Sequence, residues 1–344
     1  MAVINLSESR CAVVEWTVIS KWIVNVATVA SVFFLHLVSA PCMAQTRLYP
    51  TKPVRIVTGS AGTSGDLLSR FLAQYLIEHW AKPVIVDNRT GGGVVAAEMV
   101  ARANHDGYTL HMAQQSSFAV AVSLYAHLPY DPLRDFTPIT LVAHIPQLLI
   151  ANASLPFHDV KGMLDYVRQR PGQINYSSGG VTTTGNLSFE LLKSMAGLKM
   201  VHVPYKGVFL ATTAVSSGEV QLSMVPVTVA LAQITTGKIK ALAISSKVRF
   251  KANAEIPTLA ESGLAGFEAT TWFGIAGPAQ LPASLVSEVS RQCNAWLAQS
   301  SSRDWFDKQG AQQAGGSPND FKIFMKNEIT KWSRLIHAAG IKAE

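Results

Sequence analysis

The sequence predicts an α/β protein with mainly parallel sheets. Three observations carry that expectation. Short β-branched runs alternate with helical patterns from Pro53 to Ser245. Turns rich in glycine, serine and threonine sit where strands hand over to helices. Beyond Pro282 the pattern changes and reads as helices alone.

The alternation begins with the apolar run Val54, Ile56 and Val57. A turn follows in which Gly59, Gly62 and Gly65 stand among Ser60, Thr63 and Ser64. After Asp66, the residues Leu67, Leu68, Phe71, Leu72, Tyr75 and Leu76 recur on one face of a helix. Such a strand–turn–helix unit points backbone N–H groups and the positive end of a helix dipole at one spot, which suits an anion. The plainer reading is a βα turn whose glycines only bend the chain.

Pro83–Asp87 reads as a strand, Gly91–Gly93 as a turn, and Val94–Ala103 as a helix. Tyr108–Met112 and Leu141–Ala151 read as strands, with a hydroxyl- and amide-bearing loop at Gln114–Ser117 between them. Val160–Arg170 is helical and stops at Pro171-Gly172. Ile174–Ser177 is a strand, followed by a second small-residue loop, Ser178–Gly185, and a helix through Met195. Strands at Val201–Tyr205, Val220–Val225 and Ile239–Ser245 alternate with helices at Phe209–Ser217 and Val229–Thr236. Ser284–Ser300, Arg303–Gln309 and Asn319–Ala339 complete the chain as helices punctuated by Gly310 and Pro318. The loops Gly59–Asp66 and Ser178–Gly185 share one design and lie far apart in sequence. They suit opposite walls of a cleft between two α/β lobes, a common place for a small anion.

The N-terminus reads differently. Ile23–Val38 is apolar apart from Asn25, Thr28, Ser31 and His36, with Lys21 before it and small residues after it. Residues 1–44 are expected to be a secretory signal peptide cleaved near Ala44. A permanent membrane anchor is the rival, although the run is shorter than the roughly 20 residues a spanning helix needs. Removing the leader takes away Arg10, Lys21, Glu8 and Glu15, so the net charge stays at +7. It also takes away Cys11 and Cys42 and leaves Cys293 alone, so no internal disulfide is possible. Cys293 falls on the apolar face of a helical pattern and is expected in the core.

With 344 residues, 48% of them hydrophobic, the chain can build a large core. The positive charge is not gathered into runs, and aromatics are not interleaved with it, which argues against nucleic acid as a partner. No Gly-x-Ser-x-Gly elbow, phosphate-binding loop or dinucleotide motif is present. The 9 histidines show no pair at metal-ligand spacing. No metal, cofactor or nucleophile–base pair is expected. Abundant neutral donors without a catalytic pair fit binding better than turnover.

Several segments, in order and at matching spacing, carry a resemblance. They are YPTKPVRIV at 49–57, PVIVDNRTGGG at 83–93, DGYTLHM at 106–112 and SLYAHLPYDPLRDFTPIT at 123–140. PGQINYSSGG at 171–180, HVPYKG at 202–207, IPTLAESGLAGFEATTWFG at 256–274 and EITKWSRLIHAAGIKAE at 328–344 follow. With Asp66 at the first helix start, they span nearly the whole chain after the leader. The chain resembles the Bug-type extracytoplasmic solute receptors of tripartite tricarboxylate transporters.

The resemblance implies a type II periplasmic-binding-protein fold with two lobes, mainly parallel sheets and a hinge. It implies lobe 1 from residues 45–150 and 267–344, and lobe 2 from 151–266. It implies a periplasmic, monomeric receptor for a small carboxylate, delivering to membrane transporter subunits or to a sensor protein. Carried over residue by residue, it implicates Ser60, Gly62, Thr63 and Asp66 from the first loop, and Ser178, Thr182, Thr183 and Thr184 from the second. Gln115 and Ser116 add side-chain donors, and Tyr205 and Trp272 wall the cleft. Asp66 would repel a carboxylate set too close, so it is better read as orienting its loop.

The chain also departs from the family pattern. Ser60-Ala61 stand in place of prolines and Thr63-Ser64 in place of glycines in the first loop. Asn186 stands where a histidine is common, and Val225 falls near a usual aspartate. The expected ligand is therefore a carboxylate without an ammonium group, with an apolar body facing Phe118, Val181 and Val225. Two other readings remain at this point: an enzyme on the same fold, and a partner protein whose ligand binding is altered or lost.

Overall fold

The computed structural model describes residues 49–90 and 93–342. The expectations for the leader, residues 1–44, and for the first two glycines of the Gly91–Gly93 turn lie outside the described residues. Among those described, no helix is long and apolar enough to cross a membrane.

The chain opens with β1 (Val54–Thr58), α1 (Ser64–Trp80), β2 (Val84–Asn88), α2 (Val94–Ala101) and β3 (Thr109–Gln114). β1 lies between β2 and β3 and is parallel to both. β1 carries Val54, Ile56 and Val57 fully buried. α1 covers the sheet with Leu68, Leu72, Tyr75 and Leu76, whereas Leu67 faces out at 42% exposure.

The Gln114–Ser117 segment does not form the open loop expected of it. The chain coils at once into a π-helical stretch, Ser116–Val120, which runs into the short helix α3 (Ala121–Leu124). Its apolar side chains Phe118, Ala119 and Val120 need burial, and coiling supplies it.

β4 (Phe136–Asn152) is the spine of the molecule. Beyond it come α4 (Val160–Arg168), β5 (Asn175–Ser178), α5 (Thr184–Ala196) and β6 (Val201–Pro204). α6 (Val208–Ser217), β7 (Leu222–Pro226), α7 (Val227–Ile234) and β8 (Ile239–Ile244) follow. β9 (Thr270–Pro278) leads back to α8 (Ala283–Ala298), α9 (Ser300–Lys308), β10 (Gln312–Gln313) and α10 (Pro318–Ala339).

The strands form one ten-stranded sheet in the order β2-β1-β3-β9-β4-β7-β5-β6, with β8 and β10 also on β4. Its two arms, β2-β1-β3 and β7-β5-β6, are parallel, and the antiparallel pairings all involve β4 or β9. β4 changes partners part-way along. From Phe136 to Pro146 it pairs with β9, and from Gln147 to Ala151 with β7. β9 begins opposite that same point, with Thr270 against Pro146. The two halves of the sheet thus meet where β4 passes from one to the other.

β9 was not expected from the sequence, and its glycines explain why. Glycine weakens a strand unless something must come close. A Cβ on Gly274 would lie 2.3 Å from Phe321 Cζ, and one on Gly277 would lie 2.3 Å from Leu281 Cδ1. The glycines let α10 and the β9–α8 turn pack directly on the strand.

Candidate functional site

The two Gly/Ser/Thr loops share one hydrogen-bond pattern at their helix starts. Thr63 is the N-cap of α1 and Thr183 the N-cap of α5, and neither side chain caps its helix. Each threonine instead turns its hydroxyl back onto the carbonyl three residues earlier. Thr63 Oγ1 donates to Ser60 O at 2.7 Å, and Thr183 Oγ1 donates to Gly180 O at 2.7 Å. The first-turn N–H groups of both helices are therefore left uncapped by their own N-cap side chains, so they stay available to an anion.

The following residues serve the same end. Gly65 and Gly185 occupy the second position of their helices. A Cβ on Gly185 would lie 2.3 Å from Met224 O, so this position must be bare for α5 to reach β7. Asp66 and Asn186 come next, and each ties its loop down. Asp66 accepts from Gly62 N and Asn88 Nδ2 at 2.9 Å each and pairs with Arg70 Nε at 2.9 Å. Burial raises the Asp66 pKa, but the Gly62, Asn88 and Arg70 donors outweigh it and hold the carboxyl below its ordinary range. Asn186 donates to Val181 O at 2.6 Å and accepts from Tyr176 Oη at 2.9 Å.

The helix starts face a cleft of about 480 Å³. Its polar lining is Thr63, Gln114, Gln115, Ser116, Gln147, Thr182, Thr183, Thr184 and Thr271. Its apolar lining is Val94, Val120, Ala121, Leu124, Tyr125, Val208 and Pro226, and Gly185 completes the wall. Among the described residues lining it, none is charged.

A chain of hydrogen bonds crosses the floor. Thr184 Oγ1 donates to Gln115 Oε1 at 2.8 Å and lies 2.7 Å from Thr271 Oγ1. A hydroxyl has one proton, so with Thr184 donating to Gln115 it is Thr271 that donates to Thr184. Gln115 Nε2 is buried and has no partner.

Of the residues singled out in the sequence, Thr63, Gln115, Ser116, Thr182, Thr183 and Thr184 come together here. Ser60, Gly62 and Asp66 shape the first loop from behind and do not line the cleft. Ser178 is fully buried, bonded to Gly180 and 2.7 Å from His202 Nε2. Tyr205 turns away to donate to Glu219 Oε1 at 2.7 Å, and burial followed by this carboxylate pushes its phenol up to about 12.

Trp272 does not wall the cleft. It is fully buried on the other side of β9, where its indole meets Glu328, Phe321 and Phe324. The apolar wall also differs from expectation. Phe118 and Val225 are fully buried in the core, and Val181 holds Asn186 through its carbonyl. Val94, Leu124, Tyr125 and Val208 stand in their place. Gln147 was missed, although a glutamine inside the apolar run of β4 was a signal for it. Thr271, too, was passed over beside Trp272. Cys293 is buried in the core as expected, its thiol pushed up to about 12 by burial.

The family described as the tripartite tricarboxylate transporter family receptor matches residues 68–341 of this chain. The chain belongs to that receptor family. It is similar to the protein BugT of Bordetella pertussis strain Tohama I, at 30% identity over 89% of this chain and 94% of the relative. Among solved structures it is similar to Rpa4515 of R. palustris with adipate. Identity there is 33% and the TM-score 0.73, covering 86% of this chain and 100% of the other. It is also similar to MatC of Rhodopseudomonas palustris with bound malate. Identity is 28% and the TM-score 0.67, over 84% of this chain and 100% of the other. The fold is therefore that of the family's periplasmic binding proteins, and the family's structures include carboxylate-bound forms.

Proposed function

We propose that the protein is a periplasmic solute receptor that captures a small carboxylate without an ammonium group. One observation carries the reading: two helix N-termini, neither capped by its own threonine, open on one cleft between the halves of the sheet. Each contributes partial positive charge and free N–H donors, worth about 0.3–1 kcal/mol per terminus when exposed and more when dry. Neutral hydroxyls and amides supply the remaining donors. Among the described residues, no carboxylate lines the cleft to hold an ammonium group. The adipate and malate in the two related structures support the class of ligand.

In this reading the halves of the sheet are lobes, and the hinge lies where β4 changes partners, opposite the start of β9. Ligand bridging α1 and α5 draws the lobes together and excludes water, which strengthens each contact. The apolar run at residues 23–38 directs export, and the loaded receptor delivers its ligand to membrane subunits of a tripartite tricarboxylate-type transporter. The function is capture and delivery rather than turnover.

A thermal-shift screen tests this. Acid at about a hundred times its dissociation constant should stabilise the fold by roughly 2.7 kcal/mol. The panel is di- and tricarboxylates, acidic amino acids, and aliphatic and aromatic acids. A shift with carboxylates supports the receptor reading. No shift with any acid, from folded protein freed of bound ligand, contradicts it and favours a partner protein that has lost binding.

A further inference from the structure

A second cavity, of about 280 Å³, shares no lining residue with the cleft. Three segments build it. His144 comes from β4, close to where that strand changes partners, and residues 248–251 come from the loop after β8. α9 and the turn into β10 supply the rest. Gln312 Nε2 ties the second segment to the third by donating to Val248 O at 3.3 Å.

The floor of this cavity is apolar and its rim is charged. Phe250 and Phe306 are buried, and Val248 stands 63% exposed beside them. Arg249, Lys251, Arg303 and Asp307 carry the charge. Arg249 is already held by Glu261 Oε2 and Ala254 O, at 2.9 Å each. Among the described residues, the side chains of Lys251, Arg303 and Asp307 have no partner. Arg303 and Asp307 stand one turn apart on α9 and still do not pair with each other. His144 adds no charge at neutral pH, because burial pushes its pKa down to about 4.

Two unpaired cations and one unpaired carboxylate around an apolar floor are complementary to a zwitterion. A carboxylate between Lys251 and Arg303 accepts charge-assisted hydrogen bonds from both, and an ammonium group beside it donates to Asp307. A simple acid would leave Asp307 as a like charge, and a simple amine would leave two cations as like charges. An apolar side chain laid on Val248, Phe250 and Phe306 gains by burial. The volume falls just under the roughly 300–1,000 Å³ of ordinary ligand cavities, so the ligand is small.

We propose that this cavity is a second ligand site, for a free α-amino acid with an apolar side chain. Its carboxylate lies between Lys251 and Arg303, its ammonium group meets Asp307, and its side chain covers Val248. The proposal goes beyond carboxylate capture in the cleft and does not depend on it.

Titration calorimetry of the full chain tests it with L-phenylalanine and three analogues. Glycine lacks the apolar body and should bind about tenfold more weakly. 2-Phenylethylamine lacks the carboxylate and should be weakened about as much. 3-Phenylpropanoate lacks the ammonium group, so any that binds goes to the cleft and should not respond to changes at this site. Arg303 and Asp307 are exposed, so Arg303→Ala and Asp307→Asn should fold normally. Each should weaken L-phenylalanine about fivefold. L-Phenylalanine that fails to bind folded protein, or binds both variants as well as the unaltered chain, overturns the proposal. If an organic acid still binds in that case, the carboxylate reading stands. If L-phenylalanine responds to both substitutions while no organic acid binds, this site stands and the carboxylate reading fails.

Discussion

Thr184 Oγ1, at the start of α5, donates across the cleft to Gln115 Oε1, at the end of β3, at 2.8 Å. With Thr271 Oγ1 at 2.7 Å, it joins the middle of the chain to both flanking segments. Thr184→Val keeps the shape and removes both bonds. It leaves Gln115 Oε1 and Thr271 Oγ1 short of a partner, at a cost of about 1–2 kcal/mol. Carboxylate affinity measured by calorimetry should fall about tenfold. Unchanged affinity would mean that this chain of bonds does not support the binding arrangement.

Gly185 is fixed by the backbone of its neighbour, because a Cβ there would lie 2.3 Å from Met224 O. A carbonyl of β7 cannot swing aside as a side chain can. Gly185→Ala should push the start of α5 away from β7, at about 1–3 kcal/mol of stability, and abolish binding. Gly197→Ala is a useful contrast. It has open space around it but a φ of 64°, so strain alone should lower its stability with binding intact. Equal binding by both variants would separate α5 placement from function.

Stability should fall between neutral and mildly acid pH. His111 is fully buried, and its Nδ1 donates to Val57 O at 2.9 Å. Burial pushes its pKa down to about 4, against the opposing effect of the Val57 carbonyl. Between about 4 and its ordinary value of 6.5 the unfolded chain binds a proton that the folded chain refuses. Stability contributed this way is complete above pH 6.5 and is lost as pH falls towards 4, by at most about 3 kcal/mol. Burial pushes His144 in the same direction. Urea unfolding at pH 7 and pH 4.5 should show a smaller loss for His111→Phe than for the unaltered chain. An equal loss in both proteins would place the pH dependence elsewhere.

Glu328 anchors α10 to the start of β9. Its Oε2 accepts from Trp272 Nε1 at 3.0 Å and from Trp332 Nε1 at 2.7 Å, and Lys331 pairs with its Oε1. Glu328→Leu strands two indole donors and should cost about 3–5 kcal/mol in chemical unfolding. Glu328→Gln keeps an acceptor for both indoles and should cost less than half as much. If the two substitutions cost the same, the indole bonds are not what matters at this position.

The sequence made the α/β alternation legible because the signal is local: β-branched runs, helical faces and glycine turns each lie within a few residues. The same holds for the paired loops, whose small residues announced two open helix starts. What escaped was set by distant partners. Nothing near Gln115 reveals that Thr184 will take its carbonyl. Trp272 looked like a cleft wall beside the crossing point, yet Glu328 and Trp332, one helical turn apart on α10, draw it into the core. β9 was hidden by glycines whose reason, the approach of Phe321 and Leu281, lies in other elements. The apolar wall was missed because the π-helical stretch after β3 turns Val120, Leu124 and Tyr125 to the cleft.

A crystal structure of the chain grown with benzoate tests the central claim most directly. The account predicts the carboxylate between the first turns of α1 and α5, beside Thr63 and Thr184. Benzoate bound elsewhere, or a cleft that stays empty at saturating acid, would contradict it.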